Sequence, residues 1–225
     1  MVHSIEIGSL VLNGRLVLFL IYGAVGWLVL KLRFKNLKEN DTVMGYASTA
    51  FLLWLAVWKG SFILYHPVEF INQPLSLLYF DGGRRGLWTA GLITVLYIAY
   101  RSWKRRLSVN IWIGSGIWFV LGCWFAYHML YLVVGEKPVW FHALSAALAL
   151  TFILLFIFLR LGFKRELGYS VWFLIGQTVL GFGVTDRQLW LLSFSKPQLL
   201  FVIAALLITG WLWLDDTKEK GQTHG

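Results

Sequence analysis

The sequence contains a single cysteine, only four prolines, and 11 acidic residues against 20 Lys and Arg residues. One cysteine excludes a disulfide framework, and Cys123 lies within an apolar segment, where a small buried hydrophobic side chain is its simplest interpretation. Metal-ligand spacings, phosphate-binding glycine loops, nucleophile elbows and Cys-X-X-Cys pairs do not occur, and none of the five histidines lies four residues from another. The sequence therefore predicts no metal and no cofactor.

The chain is rich in apolar residues. They make up 58% of the 225 residues and aromatic residues 17%, with a mean hydropathy of +0.68. Soluble domains contain roughly 45–50% apolar residues, so this composition predicts an integral membrane protein. The formal charge of +9 would suit a nucleic-acid partner, but the Lys and Arg residues occur in short clusters between apolar segments, as they do in loops beside a membrane. We interpret the charge as a signal of topology and expect no nucleic-acid partner.

Seven apolar segments approach the length of about 20 residues that a bilayer requires. They predict an all-α, polytopic membrane protein with a single transmembrane domain at residues 1–214. The third and sixth segments are short. Each could be tilted, enter the bilayer only partly, or be shielded from lipid by neighbouring helices. The predicted spans are Leu10–Leu32, Val43–Leu64, Gly86–Tyr100, Val109–Val134, Val139–Leu161, Tyr169–Val184 and Gln198–Leu214.

Basic residues predict the orientation of these spans. With seven helices, thirteen of the 20 Lys and Arg residues fall on one side of the membrane, in the first, third and fifth connections and in the C-terminal tail. Because loops rich in Lys and Arg stay in the cytoplasm, the N-terminus is predicted outside and the C-terminus in the cytoplasm. The tail Asp215–Gly225 is short and polar and is predicted to be a disordered cytoplasmic segment.

The longest interruption between apolar segments, Tyr65–Arg85, is the predicted functional site. It contains two of the four prolines, a histidine, two carboxyl groups, a Gly-Gly pair and an Arg pair. Irregular backbone beside lipid must line a cavity or pack on protein, because lipid cannot satisfy its polar groups. Arg84 and Arg85 suit an anionic headgroup, or are simply solvated. The segment Asp81–Gly83 also suits a tight turn before the third span.

Few polar residues that could carry a function lie within the predicted spans. Lys59, in the second span, either snorkels to the interface or binds a headgroup. His128, in the fourth, is interpreted as a hydrogen-bonded structural histidine rather than a proton carrier, because no carboxylate lies one turn away. Gly23 and Gly26, three residues apart on one face of the first span, are expected to let a neighbouring helix approach. Gln177 and Thr178 are expected to hydrogen-bond between helices.

The central stretch resembles a known enzyme family. Lys59-Gly60 is followed by Phe70, by Pro74-Leu75 and by Asp81-Gly82-Gly83 before the apolar Ala90-Gly91-Leu92-Ile93. This order is similar to that of the prolipoprotein diacylglyceryl transferases, in which a glycine-arginine pair, a Pro-Leu and an acidic residue with Gly-Gly lead into a His-Gly-Gly. Further along the chain, the residues that fit the family pattern in order are Lys137-Pro138, Gly168, Phe173–Gly176, Ser195, Gln198 and Leu199.

The resemblance implies an enzyme of lipoprotein biosynthesis in the bacterial plasma membrane. Such an enzyme transfers a diacylglyceryl group from phosphatidylglycerol, an anionic phospholipid, to the lipobox cysteine of a lipoprotein precursor. The candidate bases in this chain are His66 and His142, both predicted at the outer face. The candidate substrate-binding residues are Lys59, Asp81, Gly82, Gly83, Arg84 and Arg85.

The chain departs from the family pattern at several motifs. Thr89-Ala90-Gly91, or Leu87 in a gap-free reading, stands in place of the His-Gly-Gly, and Gly122–Phe125 lacks the arginine and asparagine of the signature segment. Loss of a positioned base typically lowers a rate by about 10²–10⁴. Three hypotheses remain: an active divergent transferase, a degenerate relative that binds phospholipid or lipoprotein signal helices, and a small-molecule transporter.

Overall fold

The computed structural model describes residues 4–7, 10–34, 40–79, 82–105, 109–159, 162–185 and 188–222. The chain divides into two compact units, Met1–Trp27 with Phe34–Val109 and Leu28–Arg33 with Asn110–Gly225. We refer to them as unit 1 and unit 2.

Helices account for most of the described chain, together with two small antiparallel hairpins. The long helices form from the apolar segments, and basic residues mark the ends of two of them: Lys31 and Arg33 in one, Lys104 and Arg105 in another. In chain order the elements are β1 (Ser4–Ile7), β2 (Leu10–Asn13), α1 (Gly14–Phe34), α2 (Asn40–Tyr65), α3 (Pro67–Asn72), α4 (Ser76–Tyr79), α5 (Gly83–Arg105), α6 (Val109–Val134), α7 (Val139–Leu159), α8 (Phe163–Phe182), β3 (Leu189–Leu191), β4 (Phe194–Ser195) and α9 (Lys196–Gln222).

Five helices of the described chain are long and apolar enough to cross a membrane. Large apolar side chains remain exposed on these and the other long helices, for example Leu92 at 62%, Phe158 at 77% and Leu207 at 70%. Such a surface is unfavourable in water but compatible with lipid. The protein is therefore a multi-pass helical membrane protein. The five segments are Val17–Phe34, Thr42–Tyr65, Asn110–Val134, Val139–Leu159 and Lys196–Asp215.

Helices α5 and α8 correspond to the third and sixth predicted spans. They contain 23 and 20 residues, which is long enough to cross a bilayer, but neither is among the five helices that are apolar enough to do so. A count of seven spans and the orientation of the chain therefore stay predictions.

Unit 1 is centred on α2, which packs along α5 and also contacts α3 and α4. Gly23 of α1 lies against the ring of Phe51 in α2; a Cβ at Gly23 would lie 2.7 Å from Cζ of that ring. This confirms the predicted close approach at Gly23. The rings of Trp54 and Trp58 stack with centroids 5.4 Å apart, which adds an aromatic layer to α2.

Unit 2 contains a chain of contacts from α7 to α8 and from α8 to α9, held by buried amides. Ser145 Oγ donates to Gln177 Oε1 at 3.1 Å, which confirms the predicted hydrogen bond between helices. Gln198 Nε2 donates to the Thr178 carbonyl oxygen at 3.0 Å. Thr178 therefore takes part in a hydrogen bond between helices through its carbonyl oxygen, whereas its hydroxyl donates to Leu174 O within α8. A hydroxyl one turn from a carbonyl of its own helix reaches it without any neighbour.

Several predicted boundaries differ from the structure. The first helix begins at Gly14 rather than Leu10, because Leu10–Asn13 pairs with Ser4–Ile7 as a hairpin. The tail predicted as disordered continues α9 as far as Gln222, since a helix already started adds each residue at low cost. The central stretch predicted as irregular contains two short helices, α3 and α4.

Candidate functional site

The predicted central site begins where α2 meets the start of α5. Gly82 and Gly86 lie directly against Ser61 of α2, and the Gly82 amide donates to the Trp58 carbonyl oxygen at 3.2 Å. A Cβ at Gly82 would lie 2.9 Å from the Ser61 Cβ, and one at Gly86 would lie 3.3 Å from the Trp58 carbonyl oxygen. No side chain fits in either place, so the glycines fix the position of the first turn of α5 against α2.

That first turn carries the Arg pair. Gly83 has a φ of 59°, a left-handed conformation that glycine adopts readily, and the helix starts there. Arg84 and Arg85 follow and are both exposed. Two guanidinium groups at the positive end of a helix favour an anion electrostatically. Gly82 directly precedes α5 and Gly83 is its first residue, whereas Asp81 lies outside the described residues, so the tight turn predicted for Asp81–Gly83 stays a prediction.

Lys59 reaches the loop that precedes α5. Its Nζ donates to the carbonyl oxygen of Leu77 in α4 at 3.2 Å. The ammonium group therefore ties α4 to α2, a structural contact that neither the snorkelling nor the headgroup interpretation anticipated.

A hydrogen-bond chain links the end of α2 to the Arg pair. The hydroxyls of Tyr65 and Thr89 lie 2.7 Å apart, and Thr89 Oγ1 donates to the Arg85 carbonyl oxygen at 3.0 Å. Thr89 is the residue that aligns with the histidine of the His-Gly-Gly motif in the gapped reading. Its hydroxyl is not a base near neutral pH, so the chemistry of that histidine has no direct replacement at Thr89.

His66 follows Tyr65 and is oriented from two sides. Its ring stacks on Phe62 with centroids 5.3 Å apart, and its Nδ1 lies 3.4 Å from Glu69 Oε1. A carboxylate beside Nδ1 favours the tautomer that carries the proton there, in which the Nε2 lone pair is the candidate base. The His66 side chain is 47% exposed, so a substrate can reach it. Glu69 was not among the predicted site residues, although its spacing of three residues from His66 was a usable signal.

No protein-family model, curated protein or solved structure matches the chain. The resemblance to the diacylglyceryl transferases therefore stays a prediction, and the functional argument depends on the chemistry of the side chains.

The second predicted base, His142, belongs to unit 2 and is paired with His128. Their Nδ1 atoms lie 2.9 Å apart, and both side chains are buried. The Tyr131 ring stacks on His142 at 5.0 Å. The expectation that His128 is hydrogen-bonded is confirmed, and its partner is the imidazole of the other candidate histidine.

The histidine pair restricts how His142 can act. Each neutral imidazole has one N–H and one lone pair, so one Nδ1 must donate and the other must accept. His142 has a free lone pair on Nε2 only when it donates to His128 through Nδ1. His66 meets the requirements of a base more simply because the atom beside its Nδ1 is a carboxylate oxygen.

A buried ion pair in unit 2 had no counterpart in the sequence predictions. Arg33 Nη2 lies 2.9 Å from Oε1 of Glu166, whose side chain is only 2% exposed. The guanidinium carbon also lies 5.7 Å from the centre of the Trp118 ring. The described residues contain no group of three or more His, Cys, Asp or Glu side chains placed to hold a metal ion.

Proposed function

We propose that the protein is a divergent relative of the prolipoprotein diacylglyceryl transferases that acts on the headgroup of phosphatidylglycerol or another anionic phospholipid. In this proposal the acceptor is the lipobox cysteine of a lipoprotein precursor. The protein crosses a bacterial plasma membrane seven times, with its N-terminus outside, and the α2–α5 junction faces the outer leaflet.

One observation carries the proposal. The hydrogen bonds from Tyr65 to Thr89 and from Thr89 to Arg85 connect the segment that bears a carboxylate-oriented histidine to the turn that bears two exposed guanidinium groups. A general base and an anion-binding pair within one unit are the two components that transfer from a phosphate ester requires.

Each side chain then has a defined task. His66 takes the proton of the attacking thiol, and Glu69 holds the imidazole in the tautomer that accepts it. The sulfur forms a bond to the terminal glyceryl carbon, and the bond from that carbon to the phosphate oxygen breaks. Glycerol phosphate leaves with its negative charge, which Arg84 and Arg85 stabilise.

A second function, lipid binding without turnover, is favoured by the hydroxyl pair of Tyr65 and Thr89. A threonine hydroxyl bonded to a tyrosine hydroxyl stands where the transferase pattern has its histidine, so no imidazole occupies that position. In that case the Arg pair would hold an anionic headgroup, or a lipoprotein signal helix would lie beside it, and no bond would break.

The decisive experiment incubates the full-length protein in nanodiscs with phosphatidylglycerol and a lipobox peptide and measures the diacylglyceryl peptide by mass spectrometry. We expect product from the wild type, a rate lower by about 10²–10⁴ for His66→Ala and a rate lower by about 10²–10³ for Arg84→Ala/Arg85→Ala. Arg105→Ala is the matched control because Arg105 is an exposed arginine at the opposite end of α5, and it should leave the rate unchanged.

The same preparations separate the two functions. Lipid binding without turnover would be established by three results together. No product forms, the wild type and His66→Ala both retain phosphatidylglycerol, and Arg84→Ala/Arg85→Ala does not retain it. Absence of product and of any preference for anionic lipid would overturn both functions. Restoration of lipoprotein modification in cells depleted of their own transferase tests the enzyme in its natural setting.

A further inference from the structure

A groove in unit 2 lies apart in sequence from every residue of the proposed lipid-transfer site. Its volume is about 670 Å³, and it is lined by Leu159 at the end of α7 and by Arg165, Gly168, Tyr169 and Trp172 of α8. The α8 residues are spaced by three, four and seven positions, which places them on one face of the helix. A Cβ at Gly168 would meet no other atom within 4 Å, so the missing side chain widens the groove.

Three consecutive charged residues lie at the start of α8, and two of them are in ion pairs. Lys164 Nζ lies 3.2 Å from Asp215 Oδ2, and Glu166 is paired with Arg33. Arg165, between them, is exposed and forms no ion pair with any residue in the described part of the chain. The guanidinium of Arg165 is therefore the cationic group available to a molecule in the groove.

The order of groups along α8 matches an amphipathic anion. Arg165 lies near the helix start, and Tyr169 and Trp172, which are 37% and 66% exposed, follow over roughly 10 Å of helix at 1.5 Å per residue. Tyrosine and tryptophan are the side chains that favour the headgroup level of a membrane, with apolar rings and a hydrogen-bond donor each. Beyond them α8 continues as the apolar segment Phe173–Ile175.

From this arrangement we propose that the groove binds a phospholipid with an anionic headgroup. Arg165 contacts the phosphate, the glyceryl esters lie over Gly168 beside Tyr169 and Trp172, and the acyl chains extend beyond them along the apolar part of α8. By the distribution of basic residues this lipid belongs to the cytoplasmic leaflet, so it is distinct from the substrate proposed at the outer face. A single basic group beside an anionic membrane contributes about fivefold in affinity, which predicts selective but reversible occupancy.

The test uses the full-length protein in nanodiscs that contain brominated phosphatidylglycerol or brominated phosphatidylcholine. Bromine quenches nearby indoles, and the signal of Trp172 is the difference between the wild type and Trp172→Phe. We expect about fivefold stronger occupancy by the anionic lipid in the wild type and loss of that preference in Arg165→Gln. Lys164→Gln is the matched control, because the charge of Lys164 already faces Asp215, and it should keep most of the preference.

A second variant tests the groove itself. Gly168→Leu fills the open space without contacting other protein atoms at Cβ and should exclude both lipids from Trp172 while the thermal stability is maintained. Any of three outcomes would overturn the proposal. The two lipids quench the wild type equally, Lys164→Gln and Arg165→Gln lose the preference for the anionic lipid equally, or soluble glycerol phosphate removes the quenching completely. Arg84→Ala/Arg85→Ala should leave the Trp172 signal unchanged, so the outcome is independent of the proposed transferase function.

Discussion

Arg33 and Glu166 are 133 residues apart in the sequence, yet their side chains meet with Nη2 2.9 Å from Oε1. The carboxylate is almost fully buried, whereas the guanidinium is 27% exposed. The approach is close enough for an ion pair, but the N–H group is not aimed at Oε1, so that oxygen has no hydrogen bond. Burial without a well-directed donor is costly for a charged carboxyl group.

The pH dependence of stability should report this burial. Burial raises the pKa of the Glu166 carboxyl above its ordinary value of 4.5, against the opposing effects of Arg33 and Trp118. The folded state then binds the proton more tightly than the unfolded state, so the stabilisation is complete below about pH 4.5 and is lost as the pH rises through the raised pKa. Thermal unfolding of wild type and Glu166→Gln across this range should show the wild type losing stability relative to the variant. A wild type that gains stability would mean that Arg33 outweighs burial.

Removal of the guanidinium should be more harmful than removal of the charge on Glu166. Loss of one partner from a fully buried pair typically costs about 3–5 kcal/mol, and because Arg33 is partly exposed we expect about 2–3 kcal/mol for Arg33→Ala at neutral pH. The double variant Arg33→Ala/Glu166→Gln should recover part of this loss, because no uncompensated charge remains. Equal stability of the single and double variants in denaturant unfolding would argue against the ion pair.

The glycines of α5 should differ sharply in their tolerance of alanine. Gly86→Ala places a methyl group against Ser61 and the Trp58 carbonyl oxygen and should destabilise unit 1 by about 1–3 kcal/mol. Gly91 has open space at its Cβ position, so Gly91→Ala should stabilise α5 by up to about 1 kcal/mol. The same unfolding measurement on both variants isolates the packing effect, and a second substitution, Ser61→Ala, should restore part of the loss in Gly86→Ala.

The His128–His142 pair should be visible in its tautomers. Because the Nδ1 atoms face each other at 2.9 Å, one ring must carry its proton on Nδ1. Nitrogen NMR of the histidine-labelled protein should therefore show an Nδ1–H imidazole that belongs to this pair, and His128→Phe should remove the pairing at a cost of about 1 kcal/mol. Two Nε2–H signals from this pair would contradict the hydrogen bond.

Gln198 should be essential for the contact between α8 and α9. Its amide donates to the Thr178 carbonyl oxygen and accepts from both the amide and the hydroxyl of Ser195. Gln198→Leu leaves these groups unsatisfied and should cost about 2 kcal/mol or more. Thr209→Ala, an exposed change on the same helix, is the control and should have little effect on the denaturant midpoint.

The apolar composition and the periodic clusters of basic residues determined the class of this protein. Hydropathy sums over neighbouring residues, so the segments that become helices and their approximate ends could be predicted locally. The same reasoning failed at Leu10–Asn13, where an apolar segment continuous with a helix pairs with Ser4–Ile7 instead. It also failed at the C-terminus, where polar residues continue α9.

The partners of the polar side chains were decided by the tertiary structure. The sequence identified His66, Arg84 and Arg85 as candidates, because ionisable residues beside a membrane are costly and rare. It could not pair His142 with His128, Arg33 with Glu166, or Tyr65 with Thr89, since each of these contacts joins separate helices. Hydrogen bonds and ion pairs act over about 3 Å, and only the packing of helices brings distant residues within that range.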